Sequence, residues 1–242
     1  LMGVLLALIY TNIGWWGVVI AGLPLIANYH ALRYISLLRQ SYTQIVQALG
    51  DILDLREHGT AGHSLRIGAL ARRLGEEMGL PRSELDHLYV GGVLHDIGKI
   101  AMEDAILLGS GNLSMAEWEK VRLHPVLGSR LLEAYPQLQR AAAIVRHHHE
   151  RFDGTGYPDG LKGREIPIGA RIVSVVDSFD AMYFGRPYRA SRSWDDACEE
   201  LQRCAGTQFD PAAVKAFLRI GQRQVLAAIP PNALPEAVVH AH

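Results

Sequence analysis

Cysteine is scarce in this chain: its 242 residues include two, Cys198 and Cys204. Two cannot build a disulfide framework, and their spacing fits no Cys-x-x-Cys zinc pattern. They read as reduced cytosolic thiols. An excess of either charge is missing too. The 24 Lys+Arg nearly balance 25 Asp+Glu, leaving a formal net charge of -1. That argues against a dominant basic surface, and so against a nucleic acid polymer as partner. Disorder of the whole chain is excluded, because 49% of residues are hydrophobic and 20% charged. Internal repeats, low-complexity tracts and strand-like alternation of useful length are also lacking. The most informative absence is local. From Leu1 to Leu32 there is no Asp, Glu, Lys or Arg, so every such residue lies from Arg33 onward. This reads as a membrane segment followed by a soluble domain.

Leu1–Tyr10 is apolar, Thr11-Asn12-Ile13-Gly14-Trp15-Trp16 interrupts it, and Gly17–Ile35 is apolar again. The second run is about long enough to cross a ~30 Å hydrocarbon core. The expectation for 1–36 is the end of one span, an interfacial turn with paired tryptophans, and one full span. Pro24 is tolerated in a membrane helix. A cleaved leader fits poorly, since there is no charged n-region and no clear small-residue cleavage site. Arg33 and Arg39 follow the span at once. By the positive-inside rule they put the rest of the chain in the cytoplasm, at a cell (inner) membrane.

Residues 37–57 carry helix-like apolar spacing and read as a linker helix, which is also a candidate homodimer seam. Beyond it, helical periods recur over 63–79, 83–97, 115–121, 124–134, 137–149, 168–184, 194–203 and 211–228. Gly79-Leu80-Pro81 and Tyr135-Pro136 punctuate them. The expected fold is all-α, with a helical domain over 58–228 and a flexible tail over 229–242, which contains three prolines.

Four clusters carry chemistry. In Thr60-Ala61-Gly62-His63 the threonine is placed to cap a helix whose first turn presents His63. His95-Asp96-Ile97-Gly98-Lys99 follows the apolar run Leu88 to Leu94. His124-Pro125 opens another helix, and His147-His148-His149-Glu150 ends one. Asp177 lies inside the apolar stretch Ile172 to Phe179. Burying Asp96 and Asp177 is costly unless something neutralises them. Imidazole with carboxylate is a ligand set for Zn, Fe or Mn rather than Ca or Mg. Neighbours on a helix point about 100° apart, so a His-Asp doublet suits two adjacent ions with the carboxylate between them. Lys99 and the pair Arg186 and Arg189 supply cations suited to phosphate. The glycine-dense stretch Asp153-Gly-Thr-Gly-Tyr-Pro-Asp159-Gly160 reads as a structured loop with positive-φ positions. Its Tyr157 either stacks on a base or packs under the loop.

On these residues the chain resembles the HD metal-dependent phosphohydrolase superfamily. His148-His149-Glu150-Arg151-Phe152-Asp153-Gly154-Thr155-Gly156-Tyr157-Pro158 and Arg186-Pro187-Tyr188-Arg189 are similar to the signature of its HD-GYP group. The resemblance covers about 50–218. It implies hydrolysis of cyclic di-GMP, to linear pGpG and further to GMP, at a dinuclear centre with a bridging hydroxide. It implies one divalent transition metal ion, Fe or Mn, on His63, His95, Asp96 and Asp177. It implies a second on Asp96, His124, His148 and His149, and phosphodiester contacts from Lys99, Arg186 and Arg189. The loop implies contacts with a GGDEF-type cyclase. Some members hold a third ion with a Glu four residues before the first histidine; here that position is Gly59, so two ions are expected. Other readings stay open: a catalytically silent cyclic di-GMP receptor, or an HD hydrolase of another nucleotide.

Overall fold

The computed structural model describes residues 14–56, 62–107, 114–185 and 190–235, with Gly3, Ala7 and Tyr10 to Asn12 before them. Thr60, Gly59, Arg186 and Arg189 lie outside the described residues. Among the described residues every regular element is helical, apart from one isolated bridge between Ala205 and Phe209. The chain divides into two units, Leu1–Ile45 and Val46–His242.

The first unit is dominated by α1, which runs from Trp15 to Arg56 and ends in the second unit. Gly14, at φ 73°, makes the turn before it, and its N–H donates to the Tyr10 carbonyl. Trp15, Trp16, Ile20, Leu23, Ile26 and Leu32 are all exposed. Helix α1 is long and apolar enough to cross a membrane. Helix α1 runs without a break past residue 37, where the linker helix was expected to begin.

The second unit begins with the last turns of α1. Val46, Leu53 and Asp54 are buried there, and Gly50 lies so close to Val93 and Ser64 that a Cβ would collide with both. Then come α2 (His63–Glu77), α3 (Arg82–Val93), a 3₁₀ turn (Ile97–Ala101), and α4 (Asp104–Leu107). They are followed by α5 (Met115–Val121), α6 (His124–Glu133), α7 (Gln139–His147) and α8 (Ile168–Tyr183). The last are α9 (Trp194–Arg203), α10 (Pro211–Ile220) and α11 (Gln222–Ala228). Helices α2, α3, α7 and α8 pack around the core. Its apolar centre includes Ile67, Leu70, Val93, Val145, Ile172 and Phe179. Glycines let the backbones approach closely. A Cβ on Gly92 would sit 2.9 Å from the Cα of Gly68, and one on Gly98 would overlap the His124 carbonyl. The second contact seats the turn after Asp96 against the start of α6.

Three differences from the sequence reading have local causes. Helix α3 ends at Val93, so His95 and Asp96 occupy the turn before the 3₁₀ segment instead of a helix end. The helix expected over 211–228 is split at Gly221, which takes φ 72°, ψ 158°. The stretch expected to fray from 229 is packed through its first residues. Ile229 and Ala233 are buried, and a 3₁₀ turn spans Pro231–Ala233. Residues 236–242 lie outside the described residues.

Candidate metal centre

Six of the seven ligand candidates are delivered by helix termini or turns, and Asp177 by a mid-helix position. His63 is the first residue of α2, behind Gly62 at φ 73°, and His124 is the first of α6. His148 caps the end of α7 and His149 follows it. Asp177 faces them from inside α8. His63, His95, His124 and His148 are buried, Asp96 is 8% exposed, and Asp177 and His149 are half-buried.

The donor atoms fall into two groups. One joins His63, His95 and Asp177, the other Asp96, His124, His148 and His149, with the atoms of each group within 4.8 Å of one another. Asp96 faces both. Its Oδ2 is 3.1 Å from His95 Nε2, and its Oδ1 is 3.0 Å from His124 Nε2 and 3.8 Å from His148 Nε2. Asp177 Oδ1 lies 3.6 Å from His63 Nε2 and 4.0 Å from His95 Nε2. The structure thus brings together all seven residues expected as ligands.

The outer ring nitrogens fix the tautomers. His95, His124 and His148 each donate Nδ1–H to a backbone carbonyl, of Gly92 (2.8 Å), Val121 (2.7 Å) and Val145 (2.7 Å). A carbonyl only accepts, so the proton sits on Nδ1 and the Nε2 lone pair points inward. His63 Nδ1 donates to Asp180 Oδ2 at 2.7 Å. Metal-binding histidines are oriented this way, their other nitrogen donating to a carbonyl or carboxylate. Among the described residues His95 Nε2 is buried without a hydrogen-bond partner, and His124 and His148 bring Nε2 atoms within 3.3 Å. Converging lone pairs beside two carboxylates suit a divalent transition metal. The residues present fit two such ions.

Burial, with the charges of His149, His95 and His124, pushes His148 well below its ordinary value. Burial and His124 push His149 down to about 4. Both stay neutral, the form that binds metal. His95 moves the other way: burial lowers it, but Asp96 and Asp177 outweigh burial and hold it at about 9, so a metal ion there would displace a proton from Nε2. For Asp96 burial acts upward, yet His95 and Lys99 keep it well below the usual carboxylate range.

Around this core two residues act that the sequence reading missed. Asp180, buried, accepts from His63 and from Arg66, whose Nε is 2.6 Å from its Oδ1. Arg66 also donates to the Ala233 carbonyl at 2.9 Å and lies over the Phe184 ring. Spacing offered a signal. Asp180 is three residues after Asp177 and Arg66 three after His63, so each shares a helix face with a ligand candidate.

Of the expected substrate contacts, Lys99 is paired, its Nζ 2.7 Å from Asp96 Oδ2. Tyr157 stacks on His149, with centroids 4.8 Å apart, and burial pushes its hydroxyl up to about 12. The loop around it is structured as expected, with Gly154 and Gly160 at positive φ. Glu150 accepts from the N–H groups of Asp159 (2.7 Å) and Gly160 (3.0 Å). His147, the extra histidine of the run, donates to Asp159 at 2.9 Å alongside a bidentate Arg146. It anchors the loop.

A family model described as HD domain matches residues 47–213. The chain belongs to the HD domain family. Its signature loop and its relatives place it in the HD-GYP group. It is 41% identical over 179 residues to a cyclic di-GMP phosphodiesterase of Thermotoga maritima, covering 73% of this chain and 49% of that one. It is 39% identical over 178 residues to a cyclic di-GMP phosphodiesterase response regulator of Xanthomonas campestris, covering 73% and 47%. The HD-GYP chain thus spans about half the length of these curated relatives. Among solved structures it is similar to a cyclic GMP-AMP specific phosphodiesterase of Vibrio cholerae. That match has a TM-score of 0.58 at 17% identity, over 81% of this chain and 56% of the other, a likeness of fold.

Proposed function

We propose that this HD-GYP chain is a membrane-tethered phosphodiesterase that opens cyclic di-GMP to linear pGpG, and onward to GMP. The observation that carries the reading is the pair of donor groups meeting at Asp96, with inward-facing Nε2 atoms. His63, His95, Asp96 and Asp177 would hold one ion, and Asp96, His124, His148 and His149 the other. Two such ions, Fe or Mn, supply Lewis acidity and an acidified water at neutral pH. The protein's own part is placement. Asp96 turns one oxygen to each group, so a single carboxylate sets their relation. Lys99 neutralises Asp96 and is positioned to shift its ammonium to a phosphodiester oxygen as the substrate arrives. Arg186 and Arg189 supply bidentate phosphate contacts. Helix α1 would cross the membrane through its apolar half, with the domain on the Arg33 and Arg39 side.

The relatives named for cyclic di-GMP support the substrate, and the filled ligand positions favour turnover over a silent receptor. The test is turnover by the whole chain in detergent with Mn(II) or Fe(II), its products separated by chromatography. Loss of cyclic di-GMP with appearance of pGpG, at two ions per chain, is expected. Binding without turnover would establish the receptor. Faster hydrolysis of cyclic GMP-AMP or of a guanosine tetraphosphate would move the substrate class.

A further inference from the structure

Several arginines among the described residues are committed. Arg66 is held by Asp180 and Ala233, Arg146 by Asp159, Arg151 by Asp153 and Thr155, and Arg171 by Asp210. Arg122 differs. It is exposed, and among the described residues its guanidinium meets no carboxylate or carbonyl. Its one contact is the Tyr157 ring, with Cζ 4.7 Å from the centroid. That ring stacks on His149.

The position of Arg122 is fixed from both sides. It is the C-cap of α5, its N–H donating to Trp118 and Lys120 carbonyls. Two residues on, His124 donates to the carbonyl of Val121. The turn that aims a ligand candidate inward therefore also sets where Arg122 starts. A guanidinium lying over an aromatic ring is held by the ring's quadrupole and keeps its edge N–H donors free. A free, oriented fork of donors one ring removed from a ligand candidate is suited to an anion.

A cyclic dinucleotide carries two phosphodiesters on one macrocycle. Only one can lie between the two donor groups. The other keeps its negative charge and needs a cation beyond the metal centre. We propose that Arg122, braced on Tyr157, binds the second, non-reacting phosphodiester of the cyclic dinucleotide and so selects two-phosphate substrates over single phosphodiesters. This rests on the phosphodiesterase reading above. It also gives Tyr157 a role: a platform for the arginine in place of a base-stacking surface.

The test compares Arg122→Ala and Arg122→Lys with the wild type, in the whole chain loaded with Mn(II). Two substrates are used: cyclic di-GMP and bis(p-nitrophenyl) phosphate, which has one phosphodiester. Loss of a charge-assisted phosphate contact is expected to raise KM for cyclic di-GMP about 10- to 100-fold in Arg122→Ala. The lysine variant should fall between, with kcat held within about threefold and metal content unchanged. Hydrolysis of the one-phosphodiester substrate should stay at the wild-type level. An unchanged KM for cyclic di-GMP would overturn the assignment. Equal impairment on both substrates would overturn it too, because it would mean that Arg122 acts through Tyr157 and His149. A wild type that hydrolyses the small substrate but no cyclic dinucleotide would instead overturn the parent reading, and Arg122 with it.

Discussion

Asp180 is 1% exposed, so its charge is met by His63 and Arg66 and not by water. Truncating it would strand a buried guanidinium and free the His63 ring to turn. Asp180→Ala should therefore cost about 3–5 kcal/mol of stability, as breaking a buried ion pair does. It should also weaken metal binding about 10- to 100-fold, the usual effect of removing an orienting partner. Calorimetric unfolding and metal titration read the two separately, and unchanged metal affinity would refute the orienting role. Asp96 stands differently, since its two oxygens face both donor groups. Asp96→Ala should abolish hydrolysis and lower bound metal at both positions, whereas His124→Ala should deplete one. Metal analysis of the two variants decides this, and near-native activity in Asp96→Ala would sink the shared-carboxylate assignment. The seven ligand candidates were legible because histidines and aspartates recurred beside apolar runs. For Asp180 and Arg66 only the three-residue offset from a ligand candidate was legible, because their pairing with each other across 114 residues emerges only when the fold brings α2 against α8.

At the scale of elements, α1 shows two faces from Ile35 onward. Val46, Gly50, Leu53 and Asp54 lie against the domain, and Gln47 donates to the Tyr89 hydroxyl at 2.9 Å. Ile35, Leu38, Tyr42, Ile45, Leu49 and Ile52 alternate by three and four residues and are exposed, from 37% at Leu49 to 62% at Ile45. That alternation has the spacing of a heptad seam, and we propose that a second copy in register packs against it. Replacing Ile45 and Leu49 together with Glu should convert a homodimer to a monomer in detergent without unfolding the domain, because neither faces its core. Light scattering measures this, and a wild type that is already monomeric would end the idea. Helices in the domain were legible from 3.6-residue periodicity, and most boundaries fell within a few residues. The exceptions have backbone causes. Gly98 draws the chain after Val93 onto α6 through close contact with His124, and Gly221 leaves helical φ. Neither event alters the apolar pattern, so periodicity ran past both.

For the whole molecule, the burial of Ile229 and Ala233 matters more than composition suggested. Three prolines read as fraying, but prolines also suit an extended strap whose few side chains find pockets, and here Pro230 and Pro231 lead into a 3₁₀ turn. A Cβ on Gly62 would meet Ala233 at 2.6 Å, so the strap closes directly over the start of α2. Deleting residues 229–242 should lower the melting temperature and, more tellingly, the affinity for metal. A chain stopped at Ala228 that binds Mn(II) as tightly as the full one would show the strap to be decoration.

The same strap decides where this protein can safely be cut. Similarity to the HD domain stops at residue 213, and a fragment trimmed to that border would still contain every proposed ligand. Cut inside α10, it would lack the buried core residues Phe217, Ile220 and Val225, and also the carbonyl of Ala233, which occupies Arg66 on the edge opposite Asp180. Assayed alone, such a fragment would look like a degenerate homologue, feeble in metal and slow in turnover, though no ligand had been lost. An inactive truncation of this chain is therefore evidence about its C-terminal packing before it is evidence about its chemistry.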